Sequence, residues 1–266
     1  MGSHFRFGEN WDRFTELIDE DRIAQAEVSL SRLLEGESLA GRSFLDIGSG
    51  SGIHSLAAIN LGCEPVFAVD IDDASVKATR RTLSSFASHA RWECRQGSVF
   101  DLESEIGTFD VVYSWGVLHH TGSLVEALSA AVRFLKPGGL AVFALYRKTP
   151  LCGFWALEKR WYSGTSSYLQ AVARGIYISL FWLGLLVTGR SIRRYIQEYP
   201  VRNRGMDFYR DVHDWLGGYP YESVSHEWLK TFLESQGLSE ERSFVRKPGL
   251  GLLGTGNDEY VFKKLT

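Results

Sequence analysis

The stretch Phe44–Gly52, FLDIGSGSG, puts one carboxylate and three alternating glycines into a single turn. Glycine reaches φ > 0 and lets a ligand lie against the backbone. An apolar run entering such a turn just ahead of a helix makes a nucleotide-type site. The spacing then selects among nucleotides. A dinucleotide loop has the form G-x-G-x-x-G, whose third glycine would fall at Ile53, whereas here it falls at Gly52. Asp46, just ahead of Gly48, would repel a pyrophosphate and tolerate a cation. The pattern therefore disfavours NAD and favours S-adenosylmethionine, which carries a sulfonium and an ammonium and no phosphate. Asp46, Gly48, Ser49, Gly50 and Gly52 are its candidate contacts.

A second acid supports this reading. PVFAVDIDD, Pro65–Asp73, is a β-rich run ending in carboxylates. Asp70 stands about 20 residues beyond the first glycine, where an acid at the end of a second strand grips ribose hydroxyls. Asp72 and Asp73 have the alternative of capping the next helix. Further on, GVLHHT offers His119 and His120 as candidate general bases near neutral pH, each with the alternative of packing against the following helix. The segment Tyr209–Glu222, YRDVHDWLGGYPYE, sets acids among aromatics around a Gly-Gly turn, which suits a small organic acceptor bearing a hydroxyl or amine. Within it Asp211 and Asp214 are three apart and share a helical face, with Asp214 a further candidate base. Tyr209, Asp211, Trp215, Tyr219 and Tyr221 are candidate acceptor contacts, and Tyr146 joins them from the end of an earlier strand. The alternative for this segment is a structural hinge.

The 266 residues, 44% hydrophobic, suffice for one large domain or a domain with a lid. A net charge of −3 gives no electrostatic ground for a nucleic-acid partner. Cys63, Cys94 and Cys152 are scattered, with no metal-ligand spacing, which fits a reducing cytoplasm. No metal is expected, and no secretory leader is expected from the polar, aromatic start. The uncharged run Ile176–Gly189, IYISLFWLGLLVTG, is shorter than the ~20 residues that span a bilayer. It is expected to be covered by protein, in a lid or a homodimer contact. The alternative is weak interfacial association, since Arg174 and Arg190 flank it.

Periodicity supplies the elements that must position these groups. Helices are expected over Glu16–Leu34, from the glycine turn to about Leu61, and over Ala74–Phe86, Leu124–Leu135 and Ser225–Gln236. Strands are expected at Ser43–Ile47, Val66–Val69, Arg91–Arg95, Phe109–Ser114, Leu140–Tyr146, Ser243–Arg246 and Glu259–Lys263. The alternation implies an α/β, doubly wound, mostly parallel sheet. Lys148 to about Tyr221 breaks it with a long aromatic, largely helical stretch. The organisation expected is a helical cover over 1–42, a core over 43–147, a lid over 148–222 and a C-terminal completion of the sheet over 223–266.

Five ordered pieces, FLDIGSGSG, AVDIDDASV, RQGSVFD, FDVVYSWGVLHHT and LKPGGLAVFAL, resemble the class I S-adenosylmethionine-dependent methyltransferases over Ser43–Tyr146. The flanks HFRFGENW and RGMDFYRDVHDWLGGYPYE are similar, more loosely, to small-molecule enzymes of the ubiquinone-biosynthesis type. The resemblance implies a seven-stranded Rossmann-like sheet with an antiparallel last strand and an aromatic helical lid inserted after strand five. It also implies that Ile71, Ser98 and Val99 face the adenine and that Trp115 lies beside the methyl group. The family often carries an acid where Ser98 stands, so adenine N6 falls here to Ser98, to backbone or to Asp101. HFRFGENW would close over the cofactor. The activity implied is methyl transfer to a small-molecule acceptor, oxygen preferred over nitrogen or carbon, leaving S-adenosylhomocysteine. Methylation of protein or RNA, and a S-adenosylmethionine-binding regulator without transfer activity, are the alternatives.

Overall fold

The structure, a computed structural model, describes residues 15, 18–102, 106–202, 207–247 and 249–266. HFRFGENW lies outside the described residues. The first helix described in full is α1 (Glu20–Leu33), where Asp19 accepts the Arg22 N–H as N-cap. The core then runs β1 (Phe44–Ile47), α2 (Ile53–Asn60), β2 (Val66–Asp70), α3 (Asp73–Phe86), β3 (Trp92–Gln96), β4 (Phe109–Trp115), α4 (Leu124–Arg133) and β5 (Leu135–Tyr146). An insertion follows, made of α5 (Cys152–Gly164), α6 (Ser167–Val187), α7 (Ile192–Arg202) and α8 (Phe208–Gly217). The chain closes with α9 (His226–Ser235), β6 (Leu238–Phe244) and β7 (Asn257–Lys264).

The seven strands lie in the order β3-β2-β1-β4-β5-β7-β6. The first five pair in parallel, and β7 runs antiparallel between β5 and β6. β1 is buried along its whole length, as a central parallel strand covered on both faces must be. One face packs on α4 and α9 through Leu128, Leu229 and Leu233, which meet Val112 and Phe143. The other packs on α1 and α2 through Leu30, Leu33 and Ala57, which meet Phe44, Tyr113 and Val142. The sheet order reverses between β1 and β4, so the carboxyl ends of these strands open the crevice in which ligands of such sheets bind.

Two strands extend beyond their sequence expectation. Lys136–Gly139 does not end the helix in a turn. It is absorbed into β5, whose register to β4 shifts between Phe109 and Val111. β6 begins at Leu238, because its polar SEERS segment is an edge strand and carries no apolar alternation to reveal it.

The insertion has a small core of its own, in which Trp155, Tyr162, Tyr199, Phe208 and Leu216 gather with Tyr146 and Tyr221. The expectation that Ile176–Gly189 is covered by protein is not met. The run belongs to the 21-residue α6, of which only Leu185 is buried. A few packed helices bury only the face of α6 turned towards them, here through Leu185 with Ala173, Tyr177, Ile178 and Phe181 partly covered.

The glycine turn makes a stability prediction. Gly52 has φ +78°, and a Cβ there would stand 2.9 Å from the Thr79 Cα, a backbone atom that cannot give way. Gly138 has φ +73° with nothing within 4 Å. Gly52→Ala should therefore destabilise by about 3 kcal/mol or more, and Gly138→Ala by about 1 kcal/mol. Urea unfolding of the two variants checks the difference; equal losses would mean that backbone conformation alone sets the requirement.

Candidate active site

The loop between β1 and α2 is held by hydrogen bonds within the chain. Gly48, Gly50 and Gly52 have φ of 80°, 55° and 78°. The N–H groups of Gly48 and Ser49 both donate to the Val69 carbonyl, at 2.7 and 3.1 Å, and the Gly52 N–H donates to the Ser49 carbonyl at 2.8 Å. The Gly50 N–H donates to Asp70 Oδ2 at 3.0 Å. A phosphate-binding loop keeps such donors turned towards its anion; here these four are spent on the protein. The Ser49 hydroxyl pairs with Thr79 Oγ1 on α3 at 2.9 Å, so this residue braces the loop with its side chain. Gly48 is shielded by Val117, whose methyls lie 2.4 and 2.5 Å from where a Cβ would stand.

Two acids line the cavity above this loop. Asp46 is buried and accepts the Ser55 hydroxyl at 2.6 Å. Its burial, reinforced by the charge of Asp70 and only partly offset by Ser55, pushes its pKa up to about 7. Asp70 accepts the N–H of Gly50 through one oxygen and that of Asp72 through the other, at 3.0 Å each. Burial raises its pKa, with these backbone donors opposing. Asp72 caps α3 by accepting the Ala74 N–H at 2.8 Å and also lines the cavity, beside Asp70 at the strand end. A buried carboxylate with a half-buried carboxylate beside it is costly alone and is relieved by a ligand that brings positive charge and hydroxyl donors. A sulfonium–ammonium nucleoside does both, so the donor set fits S-adenosylmethionine.

One continuous cavity of about 2080 Å³ runs across the carboxyl edge of the sheet. That exceeds the 300–1,000 Å³ or so of a single small-ligand site and leaves room for two ligands side by side. Ile71, Ser98, Val99 and Phe100, which follow β2 and β3, line the end towards the β3 edge of the sheet. Trp115 and Gly116 stand in the middle. Trp115 is fixed there by donating its indole N–H to Glu259 at 2.9 Å. The far end is lined by His120, Tyr146, Asp211, Asp214, Trp215 and Tyr219. α8 buries Val212 and Leu216, and presents Asp211, Val212, Asp214 and Trp215 to the cavity. His213 points elsewhere, to Tyr162 and Arg174.

Four candidates are not brought to the cavity wall. Gly52 is turned against the Thr79 backbone of α3. His119 is fully buried beneath Tyr146, with ring centroids 3.9 Å apart and neither ring nitrogen hydrogen-bonded. Burial holds its pKa well below the usual histidine value. Tyr209 sits on the outer side of α8, 45% exposed. Tyr221 lies behind Tyr146, its hydroxyl bonded to Thr255 at 3.1 Å. Glu222, in the same segment, accepts the Leu124 N–H at the start of α4. Conversely, the cavity uses residues that are not among the candidates. Val117 closes on Gly48, Tyr177 and Phe181 of α6 form a wall, and Asn257 of β7 brings a buried Oδ1 without a partner in the chain. Only the antiparallel pairing of β7 beside β5 places Asn257 near Gly116.

His120 is held in a defined tautomer. Its Nδ1 lies 2.7 Å from the Pro220 carbonyl, which can only accept, so Nδ1 carries the proton and Nε2 is the basic nitrogen. Burial and then nearby Lys159, opposed by Pro220, lower its pKa to about 4.

The methyltransferase domain family matches residues 45–143. A ubiquinone biosynthesis O-methyltransferase of Azotobacter vinelandii is 32% identical over 168 residues, 63% of this chain and 68% of that protein. One from Xanthomonas oryzae pv. oryzae is 35% identical over 113 residues, 42% of this chain; the match spans 46% of that relative, about half its length. Among solved structures, magnesium protoporphyrin IX methyltransferase from Synechocystis PCC 6803 with bound SAH superposes with a TM-score of 0.54 at 13% identity, covering 91% of this chain and 83% of that one.

The buried Asp46 makes a pH prediction. Its folded pKa lies above its unfolded value of 3.8. The folded protein therefore retains a proton that the unfolded chain releases, and stability falls as pH rises from about 4 to 7. Relative to Asp46→Asn, the ligand-free wild type should lose on the order of 2–4 kcal/mol across that window. Parallel unfolding curves at pH 5 and pH 8 for the two proteins check this; identical pH slopes would contradict it.

Proposed function

The chain belongs to the class I S-adenosylmethionine-dependent methyltransferases, and from that premise we propose that it methylates an oxygen of a small organic molecule seated between His120 and α8. The observation that carries the reading is the cavity with two chemically distinct ends, acidic and glycine-walled at one, aromatic with a histidine and two aspartates at the other. In this reading Asp70 holds the ribose diol, Asp46 lies under the cationic portion, and Ile71, Ser98, Val99 and Phe100 enclose the base. Bound there, the cofactor supplies an electrophilic methyl group and a thioether leaving group.

The chain's own work is positioning, water exclusion and proton handling. Alignment of the acceptor oxygen with the methyl group supplies most of the rate, since the leaving group is already good. Tyr146 and Trp215 meet edge to face at 5.1 Å and form a rigid aromatic wall for a planar acceptor. An acceptor hydroxyl must shed its proton as the new bond forms. His120 is neutral at pH 7 and its tautomer aims basic character at Nε2, so it is the preferred proton acceptor. Asp214, from the facing helix, is the carboxylate that shares or receives the charge. His119 supports the Tyr146 ring from beneath. Oxygen is preferred over nitrogen or carbon because these proton acceptors surround the acceptor end, and the names of the Azotobacter and Xanthomonas relatives support the same choice.

Two measurements test this. Asp70→Ala should weaken S-adenosylhomocysteine binding by about 1.5–3 kcal/mol in calorimetry, the scale of hydrogen bonds to a charged group. It should also lower the melting temperature, because Gly50 and Asp72 lose their acceptor. Affinity within twofold of wild type would remove Asp70 from the site. With labelled cofactor and a panel of catechols and phenols, His120→Ala should lower turnover by about 10²–10⁴-fold while S-adenosylhomocysteine affinity stays near wild type. Asp214→Asn should lower turnover without changing that affinity. Full activity in both variants would place proton transfer elsewhere.

A further inference from the structure

We propose that the outward face of α6 is a docking surface for an anionic lipid bilayer, on which the protein lies with this helix parallel to the membrane plane. The surface is independent of the transfer reaction proposed above. Val172, Ile176, Leu180, Leu183 and Val187 recur at spacings of three or four and so share one side of the helix. Ile176, Leu180 and Leu183 are 54–58% exposed and Val187 is 80% exposed. A helix on a water-facing surface shows the reverse pattern, polar outward and apolar inward. Two hydroxyls on this stretch are satisfied within the chain. Ser179 donates to the Gly175 carbonyl at 2.8 Å and Thr188 to the Gly184 carbonyl at 2.9 Å, each satisfied within the helix. Neither hydroxyl therefore needs a further partner when the surface is covered.

Neighbouring segments extend the apolar surface. Leu253 touches α6 at Gly184 and accepts the Tyr177 hydroxyl on its carbonyl at 2.7 Å. The same loop exposes Leu250 and Leu252. On α5, Phe154, Leu157 and Trp161 are exposed at helical spacing.

α6 is long and apolar enough to cross a bilayer by length and composition, but its inner face is committed to the fold. Tyr177 and Phe181 line the cavity, and Arg174 donates to the Tyr162 hydroxyl at 2.8 Å. A helix so anchored along one side meets lipid with the other and lies flat.

Charge identifies the occupant. Between Glu158 and Glu198 the chain has no acidic residue, while it carries Lys159, Arg160, Arg174, Arg190, Arg193 and Arg194. Lys159 is buried, Arg174 is turned inward and Arg194 is paired with Glu198 at 2.6 Å, but Arg160, Arg190 and Arg193 are exposed near the helix ends. The chain as a whole is at −3, so this cationic, apolar region is a local departure. A second copy docked by a two-fold axis would set the same arginine-rich surface against itself. Phosphate headgroups complement it instead, with acyl chains receiving the leucines.

Vesicle flotation tests the proposal with the full chain. Wild type should float with vesicles of phosphatidylcholine and phosphatidylglycerol, bind phosphatidylcholine alone more weakly, and lose part of its binding at high salt. The double variant Leu180→Glu and Leu183→Glu should lose binding at least about tenfold. Arg190→Gln with Arg193→Gln should lose about fivefold per arginine on anionic vesicles and little on neutral ones. S-adenosylhomocysteine affinity should stay within about twofold of wild type in each variant if folding is intact. Should the leucine variant lose that affinity, Val187→Glu, at the most exposed position, replaces it. Absence of flotation by wild type overturns the proposal, as does undiminished flotation of a folded leucine or Val187 variant. So does a concentration-dependent dimer, seen by sedimentation without flotation and broken by the same substitutions, which would make this face a contact between copies.

Discussion

The site depends on one set of hydrogen bonds, those that tie the Gly48–Gly52 turn to the end of β2. The Val69 carbonyl takes two successive donors from the turn, and Asp70 takes a third. This arrangement needs positive φ at three positions, and it draws the turn so close to α3 that Gly52 almost touches the Thr79 backbone. The turn therefore cannot relax towards a phosphate cradle without breaking its bonds to β2. What remains available to a ligand is the pair of carboxylates above it, with Gly48 lying against Val117.

That pairing sets the electrostatics of the molecule. Asp46 is buried with the half-buried Asp70 near it, and each is pushed towards its protonated form. Ser55 and the backbone donors moderate the cost without removing it. A cation in the cavity reverses the balance and favours both charges. Binding and ionisation are therefore coupled, and selectivity against anionic dinucleotides follows from the same two residues. At the other end of the cavity His120 is driven the opposite way, towards neutrality, by burial. One cleft thus keeps its acids and its base in protonation states suited to different ligands.

The inserted helices are built around aromatic contacts with the core sheet. Tyr146, at the end of β5, meets His119, Trp215 and Tyr221. Behind this wall Lys159 is fully buried, its ammonium 3.5 Å from the Trp215 ring centroid, and burial lowers its pKa. A buried cation over an indole orients the ring that faces the acceptor. The insertion fills its inner side in this way, and among the described residues the outer face of α6 stays exposed. The fold therefore leaves exposed an apolar surface that a globular protein would ordinarily bury.

Local sequence determined the parts of this protein whose physics is local. The glycine spacing and Asp46 marked the turn, the acid after β2 marked Asp70, and apolar runs marked the parallel strands. These features rest on backbone conformation and burial within a few residues, which composition and periodicity report directly. The i,i+3 spacing of Asp211 and Asp214 also foretold that they would face the same way. Tertiary structure alone decided the rest. Neighbours in one motif were sent to different places: His119 under Tyr146 and His120 to the cavity, Tyr209 outward and Trp215 inward, Tyr221 behind Tyr146 and Glu222 to the start of α4. Asn257 and Val117 entered the site only because strands and loops far apart in the chain meet at the sheet edge. β6 escaped notice because an edge strand needs no apolar alternation, and the apolar run of α6 is exposed although its composition reads as core. Burial of a side chain is a property of what packs against it, and a segment carries no record of its neighbours until the chain has folded.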